Sequence, residues 1–284
     1  MDNVNRTPIV TALLLLVLML VNVQSFGQTD FSGEWVNLIH EDSNERTPGP
    51  PLGDYLGIPL NEAGRMRAET HDALEWGLPE FQCRPHPAPY QWRAPSPMRI
   101  FKEIDPVSLE LTAFQVYSVR NFARPIYMDG RPHPPEWAPH TWSGFSTGKW
   151  NGNTLVVTTT HLKESYLRRN GPTFSDEATV TEYLMRHGDL LTIVTIVNDP
   201  IYLEEPFLQS MNFRLDLHVE LPYFHCTVVD ENISRDVPHF LPGKNTNLTE
   251  WTAKDGIPEE AAKGGAETIY PEYRSKIKNK KPPN

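Results

Sequence analysis

The stretch FSTGKWNGNTLVVTTT, residues 145–160, carries the strongest indication of how this chain folds. Two runs of β-branched and aromatic residues flank Asn151-Gly152, a pair that takes the positive φ angles of a two-residue hairpin turn at little cost. A second hairpin is predicted to join residues 179–186 to 189–198 through His187-Gly188. These hairpins predict an antiparallel sheet.

The same pattern extends outward from this stretch. Runs of strand-forming residues separated by turn signals fill residues 98–230, and FRLDLHVEL, residues 213–221, alternates strictly between apolar and polar. The chain has 27 prolines in 284 residues, roughly twice the average share, which argues against long helices. Asn61 is a good N-cap for one helix at 62–76. We predict a single antiparallel β-barrel of about ten strands, with a short N-terminal helix and proline-rich rim loops.

The two ends of the chain lack the alternating pattern of barrel strands. Residues 1–27 have a short polar start, an apolar run and a polar end, the pattern of a cleaved signal peptide; an uncleaved anchor is the alternative. We predict a barrel domain at 28–236, with an irregular proline-rich arm at 79–97. Residues 237–284 are predicted to be loop, one weak helix and a disordered basic tail. The mature protein is then periplasmic or secreted, without a membrane span.

The charge balance narrows the choice of partners. The chain has 26 Lys and Arg against 36 Asp and Glu, a formal net charge of −10. Nucleic-acid binding draws on clustered Lys and Arg, so we predict no nucleic-acid partner. The sequence contains no phosphate loop or dinucleotide fingerprint, and we predict no cofactor.

The two cysteines, Cys83 and Cys226, have two readings. Export to an oxidising compartment favours a disulfide, which would close a loop of 143 residues and contribute on the order of 4–5 kcal/mol. The alternative is two separate buried thiols.

A tetrapeptide repeat supplies the first candidate site residues. Arg-Pro-His-Pro occurs at 84–87 and at 131–134, and proline on both sides of a histidine holds the backbone extended. His133, Glu136 and His140 in the second copy have ligand types suited to zinc or iron, although the prolines between them forbid a common helix face. The alternative is that both copies only shape rim loops.

Two strand positions supply further candidates. If Asn151-Gly152 is the hairpin loop, residues whose numbers sum to 303 face each other, which places Trp142 opposite His161 at the end of an apolar face. A neutral His161 there would be a general base. Glu182, on an apolar strand face, either pairs with Arg186 or has a raised pKa and takes part in proton transfer.

Two resemblances follow from the quoted residues. Gly33-Glu34-Trp35 resembles the G-x-W signature of lipocalin-like barrels, which implies a calycin-type fold with the tryptophan at its closed end. The pattern D-G-R-P-H-P, then T-W-x-G-x-S-x-G-x-W-x-G-x-T-L-V-V, then D-P-x-Y-x-x-x-P is similar to a family of exported bacterial proteins without an assigned reaction. That resemblance implies export and fold.

These observations lead to three hypotheses about function. The first is a barrel that binds a small apolar or aromatic molecule and performs isomerase-, cyclase- or lyase-type acid–base chemistry on it, with His161, Glu182 and His133 as catalytic residues. Candidate ligand contacts are Trp142, Arg131, Trp137 and Tyr183. The second is a non-catalytic carrier or surface-interaction module. The third is a metal-dependent enzyme that uses His86, His133, His140 or His161.

Overall fold

The predicted all-β barrel is confirmed. A computed structural model describes residues 29–41, 49–94, 96–118, 123–221, 226–230, 232 and 234–280, and nine of its strands close into a barrel. The predicted signal peptide lies outside the described residues. Among the described residues, no helix has both the length and the apolar character needed to cross a membrane.

The strands are β1 (Gly33–Asn37), β2 (Met98–Ile104), β3 (Leu111–Tyr117), β4 (Ala123–Tyr127), β5 (Phe145–Asn151), β6 (Thr154–Thr160), β7 (Ser165–Tyr166), β8 (Thr173–Phe174), β9 (Thr179–His187), β10 (Leu190–Asn198) and β11 (Phe207–Leu215). The order of strands around the barrel is β1-β11-β10-β9-β6-β5-β4-β3-β2, and β7 and β8 form a separate two-stranded sheet. The α-helices are α1 (Glu62–Glu69), α2 (Pro79–Gln82), α3 (Ala88–Gln91), α4 (Glu250–Asp255), α5 (Glu259–Ala262) and α6 (Pro271–Ile277). Short 3-10 helices cover Ile39–Glu41, Ala73–Gly77, Thr246–Thr249 and Ala266–Ile269.

The barrel differs from the prediction in strand number and in one strand direction. Strands β4 and β5 pair in parallel, because the loop at 128–144 returns the chain to the end at which β4 began. The alternating run at 213–221 leaves the sheet after Leu215, and Leu217 is 84% exposed. Residues 226–230, the end of the stretch predicted to consist of strands, form no strand. Alternation alone therefore overestimated the length of β11.

Both hairpins form, with a register two residues away from the predicted one. In the β5–β6 pair the facing residues sum to 305, as in Asn151 with Thr154, so the loop is Gly152-Asn153. The β9–β10 loop is likewise Gly188-Asp189. Each glycine has a φ near +60° and occupies the first turn position, as in a type II′ turn. A glycine in first position shifts the loop by one residue relative to a type I′ Asn-Gly turn.

Large side chains fill the barrel. Fifteen buried residues form its apolar core, and at one end Phe31 stacks on Trp150 with their ring centroids 5.7 Å apart. Trp35 is fully buried near that end, and its Nε1 donates to the carbonyl of Phe31 at 2.9 Å. The inward positions alternate with outward ones along each strand, as a barrel wall requires.

The proline-rich arm closes the opposite end of the barrel. It was predicted to be irregular, and it forms α2 and α3 with the buried segment 88–94 between the strand ends. Gln91 donates to the carbonyl of Val116 at 3.4 Å, and Gln209 Nε2 donates to the carbonyl of Pro89 at 2.7 Å. The arm therefore plugs the mouth of the barrel.

The N-terminal helix is shorter than predicted. Asn61 is its N-cap, with Oδ1 accepting from the amide of Gly64 at 2.9 Å, as expected. The α-helix ends at Glu69 and Thr70 is its C-cap. A separate 3-10 helix follows at Ala73–Gly77 with Asp72 as its N-cap. Because Asp72 caps the start of a new helix, the segment predicted as one helix at 62–76 forms two.

Candidate functional site

Glu182 lies inside the barrel and is saturated with hydrogen bonds. It is fully buried and pairs with Arg124 of β4, whose Nη1 is 3.0 Å from Glu182 Oε1 and whose Nη2 bonds Oε2. Trp92 Nε1 donates to the same Oε1 at 2.5 Å. Arg124 also donates to Ser146 Oγ at 3.1 Å and to Thr159 Oγ1 at 2.8 Å. Every polar group at this position therefore has a partner from the protein itself.

The pairing predicted for Glu182 is right in kind and wrong in partner. Arg186 instead donates to the carbonyls of Gly188 and Asp30, and its guanidinium lies 5.2 Å from the centre of the Trp35 ring. The sequence did not identify Arg124 as the partner of Glu182, although Arg124 lies two residues before the apolar Ile126 and therefore on the same face of a predicted strand. Since a buried ion pair with further hydrogen bonds has a sufficient structural explanation, Glu182 is not the best candidate for proton transfer.

His133 and His161 are brought together by a threonine hydroxyl. Thr160 Oγ1 is 2.8 Å from His133 Nδ1 and 2.7 Å from His161 Nδ1. His133 Nε2 is 2.8 Å from Thr147 Oγ1, and His161 Nε2 is 2.9 Å from the carbonyl of Pro135. A carbonyl only accepts, so His161 Nε2 carries the proton, and neutral rings then give a continuous chain from Thr147 through His133 and Thr160 to His161.

This histidine chain is on the outside of the barrel. Burial, and then the nearby His161 and Lys149, lower the pKa of His133. His161 was predicted to end an apolar face beside Trp142, which is wrong: β6 ends at Thr160, and His161 has a left-handed backbone with φ of 56°. The left-handed residue turns the imidazole away from the inward face.

The four predicted ligand contacts do not meet at one place. Trp142 lies between two cations, 3.9 Å from Arg84 and 4.7 Å from Lys163. Arg131 pairs with Asp129, whose pKa it holds below the usual value, and stacks on Tyr127 at 3.9 Å. Trp137 is 85% exposed. Tyr183 alternates with the inward-facing Glu182 and therefore lies on the outer face of β9.

The four histidines of the metal hypothesis are also dispersed. His86 Nδ1 is 2.5 Å from the hydroxyl of Tyr166, and His140 Nδ1 donates to the carbonyl of Leu162 at 2.9 Å. Within the described part of the chain, no group of three or more His, Cys, Asp or Glu side chains is arranged to hold a metal ion. The structure therefore gives the metal hypothesis no site.

A cleft of about 290 Å³ lies beside the barrel. We call it the side cleft. Helix α1, the 3-10 helix after it, α2 and the β7–β8 sheet all contribute to its wall. The wall includes His71, Trp76, Phe81, Arg84, Ser165 and Tyr166. No single sequence pattern marks this site, because its wall comes from segments far apart in the chain.

Nε2 of His71 and Oγ of Ser165 are buried at the side cleft and have no hydrogen-bond partner among the described residues. Each of these two residues is 7% exposed. The other ring nitrogen of His71, Nδ1, is 3.1 Å from Glu75 Oε1. A carboxylate accepts, so Nδ1 carries the proton and Nε2 of the neutral ring has a free lone pair. A buried polar atom without a partner costs about 1–3 kcal/mol, which a ligand group would recover.

The first Arg-Pro-His-Pro copy lies at the side cleft, and the second lies at the histidine chain. In both copies the histidine Nδ1 contacts a hydroxyl oxygen: that of Tyr166 for His86, and that of Thr160 for His133. In both copies the arginine stacks on an aromatic ring that precedes it in the chain. Both copies of the repeat therefore make the same two kinds of contact, at two different places in the fold.

Cys83, one residue before the first copy, forms a disulfide with Cys226, and their Cα atoms are 5.5 Å apart. Of the two readings of the cysteines, the structure adopts the bridge. It ties the arm to the segment that follows the barrel.

No family model, no curated protein and no solved structure matches this chain.

Proposed function

We propose that this protein binds a small aromatic molecule in the side cleft and removes a proton from it, with His71 as the general base. The observation that carries the proposal is Nε2 of His71, which has no hydrogen-bond partner within the described part of the chain and whose opposite ring nitrogen contacts Glu75. A carboxylate on Nδ1 fixes the ring orientation and stabilises the imidazolium that forms when Nε2 takes a proton.

The surroundings of His71 support an aromatic ligand. Trp76, Phe81 and Tyr166 form apolar parts of the wall, and the centres of the Trp76 and Tyr166 rings are 5.1 Å apart in an edge-to-face arrangement. A volume of about 290 Å³ is at the small end for ligand pockets, which suits a single-ring molecule. The hydroxyl of Ser165 supplies a hydrogen-bond donor for a polar substituent.

The barrel interior offers less for this function. Fifteen buried side chains fill it, the arm covers one end, and the carboxylate of Glu182 is already bound by Arg124 and Trp92. The acid–base role expected for Glu182 and His161 passes, in our proposal, to His71. The barrel then acts as the rigid support on which the side cleft is built.

The test uses the ligand that the protein itself carries. Native mass spectrometry of the untagged protein identifies a co-purified molecule, which is then incubated in D₂O with wild type and with His71→Gln. We expect wild type to exchange a carbon-bound proton of that molecule for deuterium, or to convert the molecule. His71→Gln should lower the rate about 100-fold or more, the usual share of a general base.

His133→Gln is the matched control, because His133 is a hydrogen-bonded histidine outside the side cleft. It should leave the rate unchanged. If the ligand recovered from wild type carries no deuterium on carbon and is chemically intact, proton transfer is rejected and the carrier hypothesis is favoured. Equal rate losses in both histidine variants would reject the side cleft as the site.

We propose further that the protein is exported with cleavage of its first 25–27 residues. The signal-like apolar run and the Cys83–Cys226 disulfide support this, because such bridges persist in oxidising compartments. Intact-mass measurement of the protein from the periplasm or medium should give a chain that begins near Phe26 or Gln28. Full-length protein in the cytoplasmic fraction would contradict export.

A further inference from the structure

We infer that the substrate class of the side cleft is a neutral aryl ketone that carries an alkyl chain. The aromatic ring lies in the side cleft, the carbonyl oxygen accepts from the hydroxyl of Ser165, and the chain enters a second cleft that shares His71 with the first. The inference rests on the proposed function for the reaction. It adds the substrate class and the place where the chain binds.

A second cleft, of about 370 Å³, adjoins the side cleft. We call it the adjoining cleft. The two clefts have Arg67, His71, Glu75 and Val237 in common, so His71 lies at their junction. A ligand that occupies both clefts therefore passes beside His71, and the group that joins its two parts lies next to the proposed base.

One wall of the adjoining cleft is mainly apolar. It is the segment Val-Pro-His-Phe-Leu-Pro, residues 237–242, which we call the strap. Val237 is 42% exposed and Leu241 is 65% exposed. Exposed apolar surface gains free energy when an apolar ligand covers it, in proportion to the area covered. The strap therefore favours an alkyl chain over a polar group.

The strap is fixed against the C-terminal end of α1. The amide of Phe240 donates to the carbonyl of Thr70 at 2.9 Å, and His239 forms an antiparallel bridge with His71. Asn245, which follows the strap, donates from Nδ2 to the carbonyl of His71 at 3.0 Å. A wall that is ordered before the ligand arrives loses little conformational entropy on binding.

The charged groups at the junction of the two clefts already have partners. Arg67 Nη2 is 2.8 Å from Glu164 Oε1, and Glu75 Oε1 is 3.1 Å from Nδ1 of His71. A charged ligand would lose its hydration there without gaining an unpaired counter-ion, which costs free energy. The junction therefore favours a neutral ligand.

Removal of a proton from a neutral ligand requires a carbonyl beside the C–H bond. An imidazole is too weak a base for an unactivated C–H bond, whereas a neighbouring carbonyl accepts the electron pair. The proton passes to Nε2 of His71, the C–H electron pair forms the enolate double bond, and the negative charge lies on oxygen. Ser165 Oγ, which has no hydrogen-bond partner among the described residues, donates to that oxygen.

Acetophenone and valerophenone are the probes, because they share the aryl ketone and differ by three CH₂ groups of the chain. Burial of one CH₂ group strengthens binding by about two- to fourfold, the upper value for complete burial. Isothermal titration calorimetry of the mature protein with its disulfide intact should therefore show valerophenone binding at least about eightfold tighter than acetophenone.

Variants then assign the chain to the adjoining cleft. Leu241→Ser should lower valerophenone affinity by about fivefold and leave acetophenone affinity unchanged, because only the longer chain reaches the strap. Leu208→Ser is the matched control, since Leu208 of β11 is likewise 61% exposed and lines neither cleft. It should bind both ketones like wild type.

Deuterium exchange in D₂O tests the contact with Ser165. Wild type should exchange the protons on the carbon beside the carbonyl of valerophenone, because the imidazolium of His71 exchanges its proton with solvent before it returns one to carbon. Ser165→Ala should lower the rate constant about 100-fold and the affinity only about threefold, since an enolate oxygen accepts a hydrogen bond more strongly than a ketone oxygen. Equal losses in rate constant and affinity would overturn the role of Ser165.

Equal affinities of the two ketones, no binding of either up to about 1 mM, or equal losses in the Leu241 and Leu208 variants would overturn the inference. Failure of the proposed function gives a different result. A chain preference that depends on Leu241, in a protein that changes neither its co-purified ligand nor valerophenone, would keep the ligand class and reject proton transfer. Conversion of the co-purified ligand that depends on His71, without any chain preference, would keep the proposed function and overturn the inference.

Discussion

Replacing Glu182 by glutamine should be among the most destabilising single changes in this barrel. The substitution keeps the size of the side chain and removes one negative charge at a fully buried position. Arg124, itself 2% exposed, would keep its positive charge without a counter-ion. Its remaining hydrogen bonds, to Gln91, Ser146 and Thr159, involve neutral groups.

The expected magnitude follows from the contacts that are lost. Removing one partner of a buried ion pair costs about 3–5 kcal/mol, because the other charge stays buried and uncompensated. The glutamine amide has an NH₂ group in place of one carboxylate oxygen, and this group would point its N–H donors toward the guanidinium donors of Arg124. The amide oxygen can still accept a hydrogen bond from Trp92. A domain of ordinary stability, about 5–15 kcal/mol, would still fold, at a lower denaturant midpoint.

The pair itself is measured by adding Arg124→Met to Glu182→Gln. If the loss in the single variant comes from the uncompensated charge, the double variant should be less destabilised than the sum of both single variants, by about 2–3 kcal/mol. Some loss remains, because Trp92 and Thr159 each lose a charged or strong partner.

Urea unfolding followed by tryptophan fluorescence is the assay, with Trp92 as a reporter at the site. Asp129→Asn is the matched control, because it removes the carboxylate partner of Arg131 in an exposed ion pair and should cost less than about 1 kcal/mol. A loss below about 1 kcal/mol for Glu182→Gln, or strict additivity in the double variant, would refute the reasoning.

Three further predictions concern other parts of the chain. Replacing Cys83 and Cys226 together by serine removes a cross-link over 143 residues, worth about 5 kcal/mol in the chain-entropy model, and should lower the melting temperature by about 10 °C or more; an unchanged midpoint would contradict this. Gly53 and Gly130 both have positive φ, but only at Gly53 would an added Cβ meet a backbone oxygen, at 2.4 Å. In urea titrations Gly53→Ala should therefore lower the free energy of unfolding by about 1–3 kcal/mol more than Gly130→Ala. Equal losses would show that the close contact at Gly53 is not rigid. Folding lowers the pKa of His133, so the unfolded chain binds the proton more readily than the folded chain. The neutral imidazole therefore makes its full contribution to folding stability above pH 6.5, and this contribution is lost as the pH falls through the lower pKa of the folded state. The stability advantage of wild type over His133→Asn should therefore shrink between pH 8 and pH 5, and an advantage that grows would contradict the sign.

Several features of this barrel are readable from sequence because they are local. Period-two alternation and glycine turns predicted the β5–β6 and β9–β10 hairpins, and both form. The helix start at Asn61 follows from one side-chain cap. The register was wrong by two because the choice between turn types depends on which position the glycine takes, a difference that the dipeptide Asn-Gly does not settle.

The candidate site was much less predictable. His133 and His161 were recognised as unusual from their residue types and spacing, yet the left-handed backbone of His161 placed its ring on the outer face. The Arg-Pro-His-Pro repeat did indicate a shared local conformation, and one copy lies at the side cleft. Nothing in the sequence near His71 distinguished it from the other nine histidines.

What the sequence by itself determined is the all-β class, a proline-rich arm outside the strands and the pair of cysteines available for a bridge, since each depends on residue types or short-range patterns. Only the tertiary structure decided that Glu182 pairs with Arg124, 58 residues away, and that the arm plugs the barrel. It alone brought His71, Arg84 and Ser165 to one cleft. The physical reason is that the closing of a barrel determines which strands become neighbours, and contacts between distant segments follow from that closure and not from any local preference of the chain.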